Sequence, residues 1–242
     1  MSMMLPCSLY ATDAVILQHM TSEVNPAHSL PPLRQAQIAH TEQRIIAAAA
    51  ELFLAEGYLP TTLEAVAKRA RVGARTVYVR FGTKAALFKR VVDTAIVGDT
   101  QPVDVLGRDW MQAALTAPTA AERITAMAAA GRQIVERTGS LFAVAQQAAA
   151  VEPLIAGFWQ QGREQTRHAY AVFWTRMADD GLLDPGIGLS WLIDTSTILA
   201  AAETYLLTTR LTSWDLDTYQ SWLATTCTQL AAPPAQPSPT TS

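Results

Sequence analysis

The stretch that decides the fold is TEQRIIAAAAELFLAEGYLPTTLEAVAKRARVGARTVYVRFGTKAALFKRVVDTAI, residues 41–96. Apolar residues recur in its first part at the spacing of one helix face, which predicts an amphipathic first helix. This stripe consists of Ile45, Ala48, Ala49, Leu52 and Phe53. Gly57 follows the stripe, and a glycine at that place is typical of a helix end.

Two further short helices are predicted after Gly57. Thr61 and Glu64 have the T-x-x-E spacing of a capping box, in which a hydroxyl and a carboxylate satisfy backbone donors at a helix start. This second helix is expected to end near Ala70 and to bury Leu63, Val66 and Ala67. A third helix is expected to begin near Gly73, after a tight turn.

The third helix has the pattern of a recognition helix. Its predicted outward residues are Arg75, Thr76, Tyr78 and Arg80, and its inward residues are Val77 and Phe81. Two helices joined by a tight turn, with the second one polar and basic outside, form a helix-turn-helix that enters the major groove of DNA.

These landmarks resemble the tetracycline-repressor (TetR) family of bacterial regulators. The resemblance lies in Arg44 to Phe53, Gly57-Tyr58, Thr61-Thr62, Val66-Ala67, Thr76-Val77-Tyr78 and the F-x-x-K-x-x-L of Phe81 to Leu87. It implies a homodimer that binds a palindromic double-stranded DNA operator and is released by a small-molecule effector, with repression as the usual outcome. It also implies an all-α fold with an N-terminal three-helix helix-turn-helix domain and a larger helical ligand-binding and dimerisation domain.

Two positions depart from the family pattern. Arg71 stands where members usually have glycine in the turn, and a positive φ there is strained for a residue with a Cβ. Gly73 replaces the usual serine N-cap, which leaves the first amides of the third helix without a side-chain acceptor. Neither change removes a group predicted to face DNA.

The charge is distributed unevenly along the chain. Residues 34–90 hold ten basic and four acidic side chains, a net +6, whereas the rest holds eight basic and 17 acidic side chains, a net −9. A basic end on an acidic body favours docking of that end on phosphates.

Seven residues form the predicted DNA-binding set: Arg44, Thr62, Arg75, Thr76, Tyr78, Arg80 and Lys84. Thr62, Tyr78 and Lys84 lie near helix starts and are the phosphate candidates. Arg75, Thr76 and Arg80 are the base-reading candidates, because arginine can donate two hydrogen bonds to guanine. Each of these also fits a phosphate contact, and a basic helix face can be merely solvated.

The remaining sequence sets the domain plan. Eight of 13 prolines lie in the first 40 or last 10 residues, so residues 1–40 and 233–242 are expected to be flexible and Met20 is a possible alternative start. The DNA-binding domain is predicted at 41–98 and the effector-binding and dimerisation domain at 99–232. Two cysteines and no apolar run long enough for a bilayer indicate a cytoplasmic protein without a disulfide framework or membrane association.

The second domain is predicted to be entirely helical, with helices near 105–115, 119–139, 141–151, 153–181, 189–211 and 215–230. The fourth of these has apolar residues on two sides, which favours a dimer seam between it and the next helix. The predicted seam is Tyr170, Phe173, Met177, Trp191, Ile198 and Leu199; the alternative is that these residues are intrachain core.

An effector pocket is predicted in the same domain. Its candidate residues are Trp110, Met127, Phe142, Phe158, Trp159, Arg163, His168 and Trp174, with plain core as the competing interpretation. Enzyme motifs such as G-x-S-x-G and H-E-x-x-H are absent, so no catalytic residue, metal site or cofactor is predicted. The rival to a regulator is a helical ligand-binding adaptor that has lost sequence-specific DNA binding through Arg71 and Gly73.

Overall fold

The computed structural model describes residues 32–99 and 104–232. Within those ranges the chain forms ten α-helices and no strand, in agreement with the predicted all-α class. The helices are α1 (Pro32–Glu56), α2 (Leu63–Ala70), α3 (Ala74–Phe81), α4 (Lys84–Val97), α5 (Asp109–Thr116), α6 (Ala120–Ala149), α7 (Pro153–Asp179), α8 (Leu189–Ala200), α9 (Ala202–Leu211) and α10 (Leu216–Leu230).

The chain divides into two units between Glu42 and Gln43. The described part of the first unit is the opening of α1, where the Thr41 hydroxyl donates to the Gln37 carbonyl at 2.8 Å. Because α1 begins at Pro32, the predicted boundary of the flexible extension at residue 40 falls inside a helix. Proline suits a first helical position, since it has no amide hydrogen to leave unsatisfied. The rest of the predicted extension, Met20 included, and the predicted tail lie outside the described residues.

In the second unit, α1 to α4 share one small core. Ile45, Phe53, Val66 and Val77 are fully buried there, and they come from α1, α2 and α3. Three aromatic rings pack together in this core: those of Phe53 and Phe88 are edge to face at 4.9 Å between centroids, and the Tyr58 ring lies 5.5 Å from Phe88. The core fixes α3 against α1 and α2, so the outward face of α3 has a defined orientation.

The start of α2 lies one residue later than the capping-box pattern predicted. Thr62 is the N-cap, and its hydroxyl accepts from the Ala65 amide at 3.1 Å. Thr61 is fully buried instead, and its hydroxyl donates to the Gly57 carbonyl at 2.8 Å. Either threonine can accept from an amide three residues on, so burial of the first one decides which of the two caps the helix.

The helical body packs around α6 and α7. Trp174 is fully buried in a core to which five helices contribute, and its Nε1 donates to the Ser196 hydroxyl at 2.8 Å. Thr119 and Glu122 form a capping box at the start of α6. The buried Arg123, in the first turn of α6, forms an ion pair at 2.7 Å with Asp180, which follows the end of α7.

One helix replaces two predicted ones across Gly139. α6 is a single helix of 30 residues, and Gly139 lies inside it. A Cβ at Gly139 would lie 2.6 Å from a ring carbon of Tyr205 in α9. The glycine therefore permits close approach of α9 to α6 and does not end the helix.

Conversely, the predicted single helix over 189–211 is divided in two. Ala201 is extended, with ψ 146°, and separates α8 from α9. The first turn of α9 is held by tertiary contacts: Glu203 accepts from Trp159 Nε1 at 2.8 Å and from Arg163 Nε at 2.7 Å. These contacts to α7 are long-range, which is why the local sequence does not reveal the break.

Candidate nucleic-acid interface

The turn between α2 and α3 is built around a strained arginine. Arg71 has φ 54° and ψ 47°, the left-handed conformation that the sequence analysis expected at this position. Its amide donates to the Lys68 carbonyl at 3.1 Å, and the Val72 amide donates to the Ala67 carbonyl at 3.0 Å. These two bonds form a Schellman motif, which satisfies the last carbonyls of α2 and turns the chain into α3.

α3 begins without a side-chain cap. Gly73 is its N-cap and makes no side-chain hydrogen bond, as predicted. Amides at an uncapped helix start are available to water or to an oxygen of a phosphate group. The α3 N-terminus therefore adds a weak anion-attracting group beside its basic side chains.

In the part of the chain that the structure describes, unpaired lysine and arginine side chains lie on α2, the turn and α3, and Arg34 near the start of α1 is a further one. Within residues 32–99 and 104–232, the side chains of Lys68, Arg71, Arg75 and Arg80 have no hydrogen-bond or ion-pair partner. Each arginine of α6 to α9, by contrast, donates to a carboxylate, an amide or a carbonyl of the chain. A cluster of cations with unused donors is the electrostatic pattern of a surface that binds polyanions.

Tyr78 and Thr62 both interact with Glu64. The phenol of Tyr78, which is 45% exposed, donates to the Glu64 carboxylate. This hydrogen bond lowers the pKa of Glu64 and raises the pKa of Tyr78. Glu64 lies in the first turn of α2, two residues after Thr62. A phosphate placed here must compete with that carboxylate for the phenol, which the sequence pattern did not reveal.

Lys84 is largely engaged within the chain. Its ammonium donates to the carbonyls of Tyr58 and Leu59, at 2.9 and 3.1 Å, and lies 4.4 Å from the centre of the Tyr58 ring. Burial lowers the pKa of Lys84, and burial together with the nearby Glu152 raises the pKa of Tyr58 to about 12. An ammonium has three donors, so one remains for the phosphate contact predicted for Lys84.

Arg44 and Thr76 also have structural neighbours. The Arg44 guanidinium donates to the carbonyls of Ala70 and Arg71, at 2.5 and 3.3 Å, and so caps the end of α2. Thr76 is half-buried in the first turn of α3. Arg44 thus supports the turn directly, and any DNA contact must use its other donors.

One exposed residue of α3 was not among the predicted contacts. Val79 is 75% exposed and lies four residues after Arg75, on the same helix face. An exposed valine is unusual on an otherwise polar helix face. Apolar side chains in the major groove contact the methyl group of thymine. The sequence signal for Val79 is a hydrophobic residue on a basic helix face, and the periodicity that predicts the core does not single out such a residue.

Half of the predicted dimer seam is wrong. Tyr170, Phe173 and Met177 are at most 4% exposed and pack in the core of the helical body, so they are not available to a partner. The alternative interpretation of these three as intrachain core is the correct one. Trp191 and Ile198 in α8 are 56% and 66% exposed, and they remain candidates for the seam.

The predicted effector residues are not brought around one cavity. Trp174 and Met127 are core residues, and His168 is exposed on α7. The others are partly buried or exposed, and the rings of Phe142 and Trp159 are edge to face at 5.9 Å. Arg163 pairs with Glu203. Phe158 packs beside the small core and Trp110 beside the body core.

A separate cleft of about 410 Å³ opens where α6, α9 and the start of α10 meet. None of the eight predicted effector residues lines it. Among the described residues, no cluster of three or more histidine, cysteine, aspartate or glutamate side chains is arranged to hold a metal ion. Nor does any described helix combine the length and apolarity that crossing a bilayer requires.

Residues 45–91, which contain this helix-turn-helix, match the model of the family described as bacterial regulatory proteins, tetR family. Over 107 residues the chain is 30% identical to the HTH-type transcriptional regulator TcmR of Streptomyces glaucescens. That match covers 44% of this chain and 42% of the relative, so less than half of the relative's length is spanned.

Solved structures with this fold are also similar. SmeT, in complex with triclosan, matches with a TM-score of 0.61 at 17% identity, over 84% of this chain and 100% of that one. NalD of Pseudomonas aeruginosa, the secondary repressor of the MexAB-OprM multidrug efflux pump, matches with a TM-score of 0.56 at 21% identity, over 80% and 96%. GusR of Salmonella enterica matches with a TM-score of 0.53 at 15% identity, over 79% and 95%. Identities this low show a shared fold.

Proposed function

We propose that this chain is a ligand-responsive transcriptional repressor of the tetR family of bacterial regulatory proteins, whose model matches its residues 45–91. In this proposal a homodimer binds a palindromic operator, and a small molecule releases it. The domain plan follows the sequence analysis, with DNA binding by residues 41–98 and effector binding and dimerisation by residues 99–232.

The observation that carries the DNA-binding role is the group of unpaired cations at α2 and α3. Arg75 and Arg80 have unused guanidinium donors on a helix whose orientation is fixed by Val77 in the core. Because the backbone of a rigid helix is already ordered, docking costs only the conformational entropy of the contacting side chains. Arg75, Thr76 and Arg80 are therefore proposed to contact base edges, with Val79 beside them against thymine. Arg44, Thr62, Tyr78 and Lys84 are proposed for the phosphates.

Dimerisation is proposed because one helix-turn-helix covers only one half-site. Two copies must present their recognition helices about 34–36 Å apart, one turn of the duplex. The exposed apolar residues of α8, Trp191 and Ile198, lie seven positions apart on one helix face and are the proposed centre of the seam, with Leu199 at its edge. Exposed aliphatic and indole groups of this size favour burial against a second copy.

Ligand response requires a connection between the helical body and α3. Arg137 of α6 provides one, because its Nε and Nη2 donate to the carbonyls of Ala95 and Ile96, at 2.8 and 2.6 Å. These carbonyls end α4, whose other end follows α3 after two residues. A ligand that prefers another placement of α6 thus shifts α4 and α3, and weakens operator binding by its differential affinity for the two states.

The test is selection of bound fragments from a random DNA pool with the full chain, followed by the mass of the complex on the selected site. The expected result is a short inverted repeat bound by two or more copies, in an even number, with strong salt dependence. Retention of DNA without any enriched sequence would contradict the proposal and support the adaptor interpretation. Enrichment of an asymmetric site bound by one copy would refute the dimer.

A further inference from the structure

The cleft at α6, α9 and α10 has an aromatic wall. Tyr205, Tyr219 and Trp214 line it. The two tyrosine rings are edge to face at 5.3 Å between centroids, and Trp222 joins Tyr219 to Trp214 at 5.9 and 5.5 Å. Four rings thus form one continuous layer behind the cleft. Such a wall offers flat π-surfaces to an aromatic or cationic guest.

The rim of the cleft is acidic once its ion pairs are counted. Arg132 is the cationic lining residue, and its guanidinium donates to Glu136 at 3.0 Å and to Asp217 at 3.1 Å. Two carboxylates therefore neutralise one guanidinium. Asp215 adds a third carboxylate, which accepts the Thr218 amide at 2.7 Å as the N-cap of α10. The net charge at this rim is negative, which repels anions and attracts cations.

From this juxtaposition we propose that the cleft binds an organic cation with a flat aromatic system, stacked on Trp214 and Tyr205 with its charge towards Asp215 and Asp217. The cleft volume of about 410 Å³ lies in the range of small-molecule sites and accommodates two or three fused rings. The effector role of this site rests on the proposed function, and the site differs from the effector residues that the sequence predicted.

The position of the cleft connects it to the DNA-binding end of the chain. Arg132 at the rim and Arg137 at the end of α4 lie on the same helix, little more than one turn apart. A cation that draws Asp217 away from Arg132 changes the ion pairs of α6 close to that joint. Binding here is therefore coupled to the element that precedes the recognition surface in the proposed mechanism.

The experiment measures binding to the full chain without DNA, by isothermal titration calorimetry. The probes are 1-methylquinolinium, neutral quinoline and the anion 2-naphthoate, which share a fused two-ring skeleton. The cation is expected to bind at least about tenfold more tightly than quinoline, and 2-naphthoate is expected to bind most weakly. Asp215→Asn with Asp217→Asn removes both charges, and asparagine keeps the N-cap acceptor. This double variant is expected to bind the cation about tenfold more weakly and to bind quinoline with unchanged affinity.

The matched control is Glu164→Gln with Asp179→Asn, which removes two exposed carboxylates elsewhere on the helical body. It is expected to bind all three probes like the wild type. Equal affinity for the cation and quinoline, an undiminished cation affinity in the Asp215 and Asp217 variant, or no saturable binding of the cation would each overturn the proposal. Because the assay contains no DNA, failure here is separate from failure of the operator selection.

Discussion

Replacement of Arg71 by glycine is expected to stabilise the protein. Arg71 is exposed, its side chain has no hydrogen-bond or ion-pair partner among the described residues, and its backbone has φ 54°. A residue with a Cβ in this conformation carries a strain of roughly 1–2 kcal/mol, which glycine lacks. Glycine loses about 0.5–1 kcal/mol more conformational freedom on folding, so the middle of the two ranges gives a net gain in the free energy of unfolding of about 0.75 kcal/mol.

The assay is urea unfolding followed by far-ultraviolet circular dichroism, with thermal unfolding as a second readout. For a chain of 242 residues, this gain corresponds to a rise in Tm of about 1–4 °C. Arg71→Lys is the matched control, because it keeps both the Cβ and the charge and is expected to leave stability unchanged. A lower stability of Arg71→Gly, or an equal gain in Arg71→Lys, would show that the turn carries no relievable strain.

Three further outcomes are expected. Val79→Ala should weaken operator binding by about 1 kcal/mol, and replacing operator thymines by deoxyuridine should then weaken the variant less than the wild type if Val79 contacts a thymine methyl. Ile198→Glu should convert the dimer to monomer in sedimentation velocity, whereas Leu54→Glu, at an exposed leucine of α1, should not; a dimer that survives Ile198→Glu places the seam elsewhere. Burial and the nearby Glu152 raise the pKa of Tyr58 from 10 to about 12, so its contribution to stability is complete below pH 10 and is lost as the pH rises to 12. Tyr58→Phe should flatten the decline of stability in that window, and an unchanged decline would exclude this group as its cause.

The helix-turn-helix was predictable because its signals are local. The apolar stripe of α1, the left-handed position at Arg71 and the uncapped start at Gly73 each depend on a few neighbouring residues, and the structure confirms them. The resemblance to the family is confirmed over residues 45–91. The capping box at Thr61 was wrong by one residue, since two adjacent threonines offer the same local pattern and only burial distinguishes them.

The helical body was predicted less well because its decisive contacts are distant in sequence. Gly139 looked like a helix end, but its role is to admit Tyr205 from α9. The break at Ala201 depends on Glu203 meeting α7, which no local pattern encodes. The two apolar faces of α7 do not show which one meets a partner, so the pattern predicts Tyr170 in a seam although it lies in the core. The residues that line the cleft come from α6, α9 and the start of α10, so no local pattern predicts that they meet.

The most direct test of the central claim is equilibrium binding of the full chain to the selected operator and to a scrambled duplex at the same salt concentration. The expected preference for the operator is about 10³-fold or more. Arg75→Ala should lose about 1–3 kcal/mol of operator-binding free energy and relax the sequence preference at one base position. Arg210→Ala, which removes a guanidinium bonded to Gln146 on the helical body, should bind as the wild type does. Equal affinity of the folded wild-type chain for both duplexes would contradict the assignment of α3 as a recognition helix.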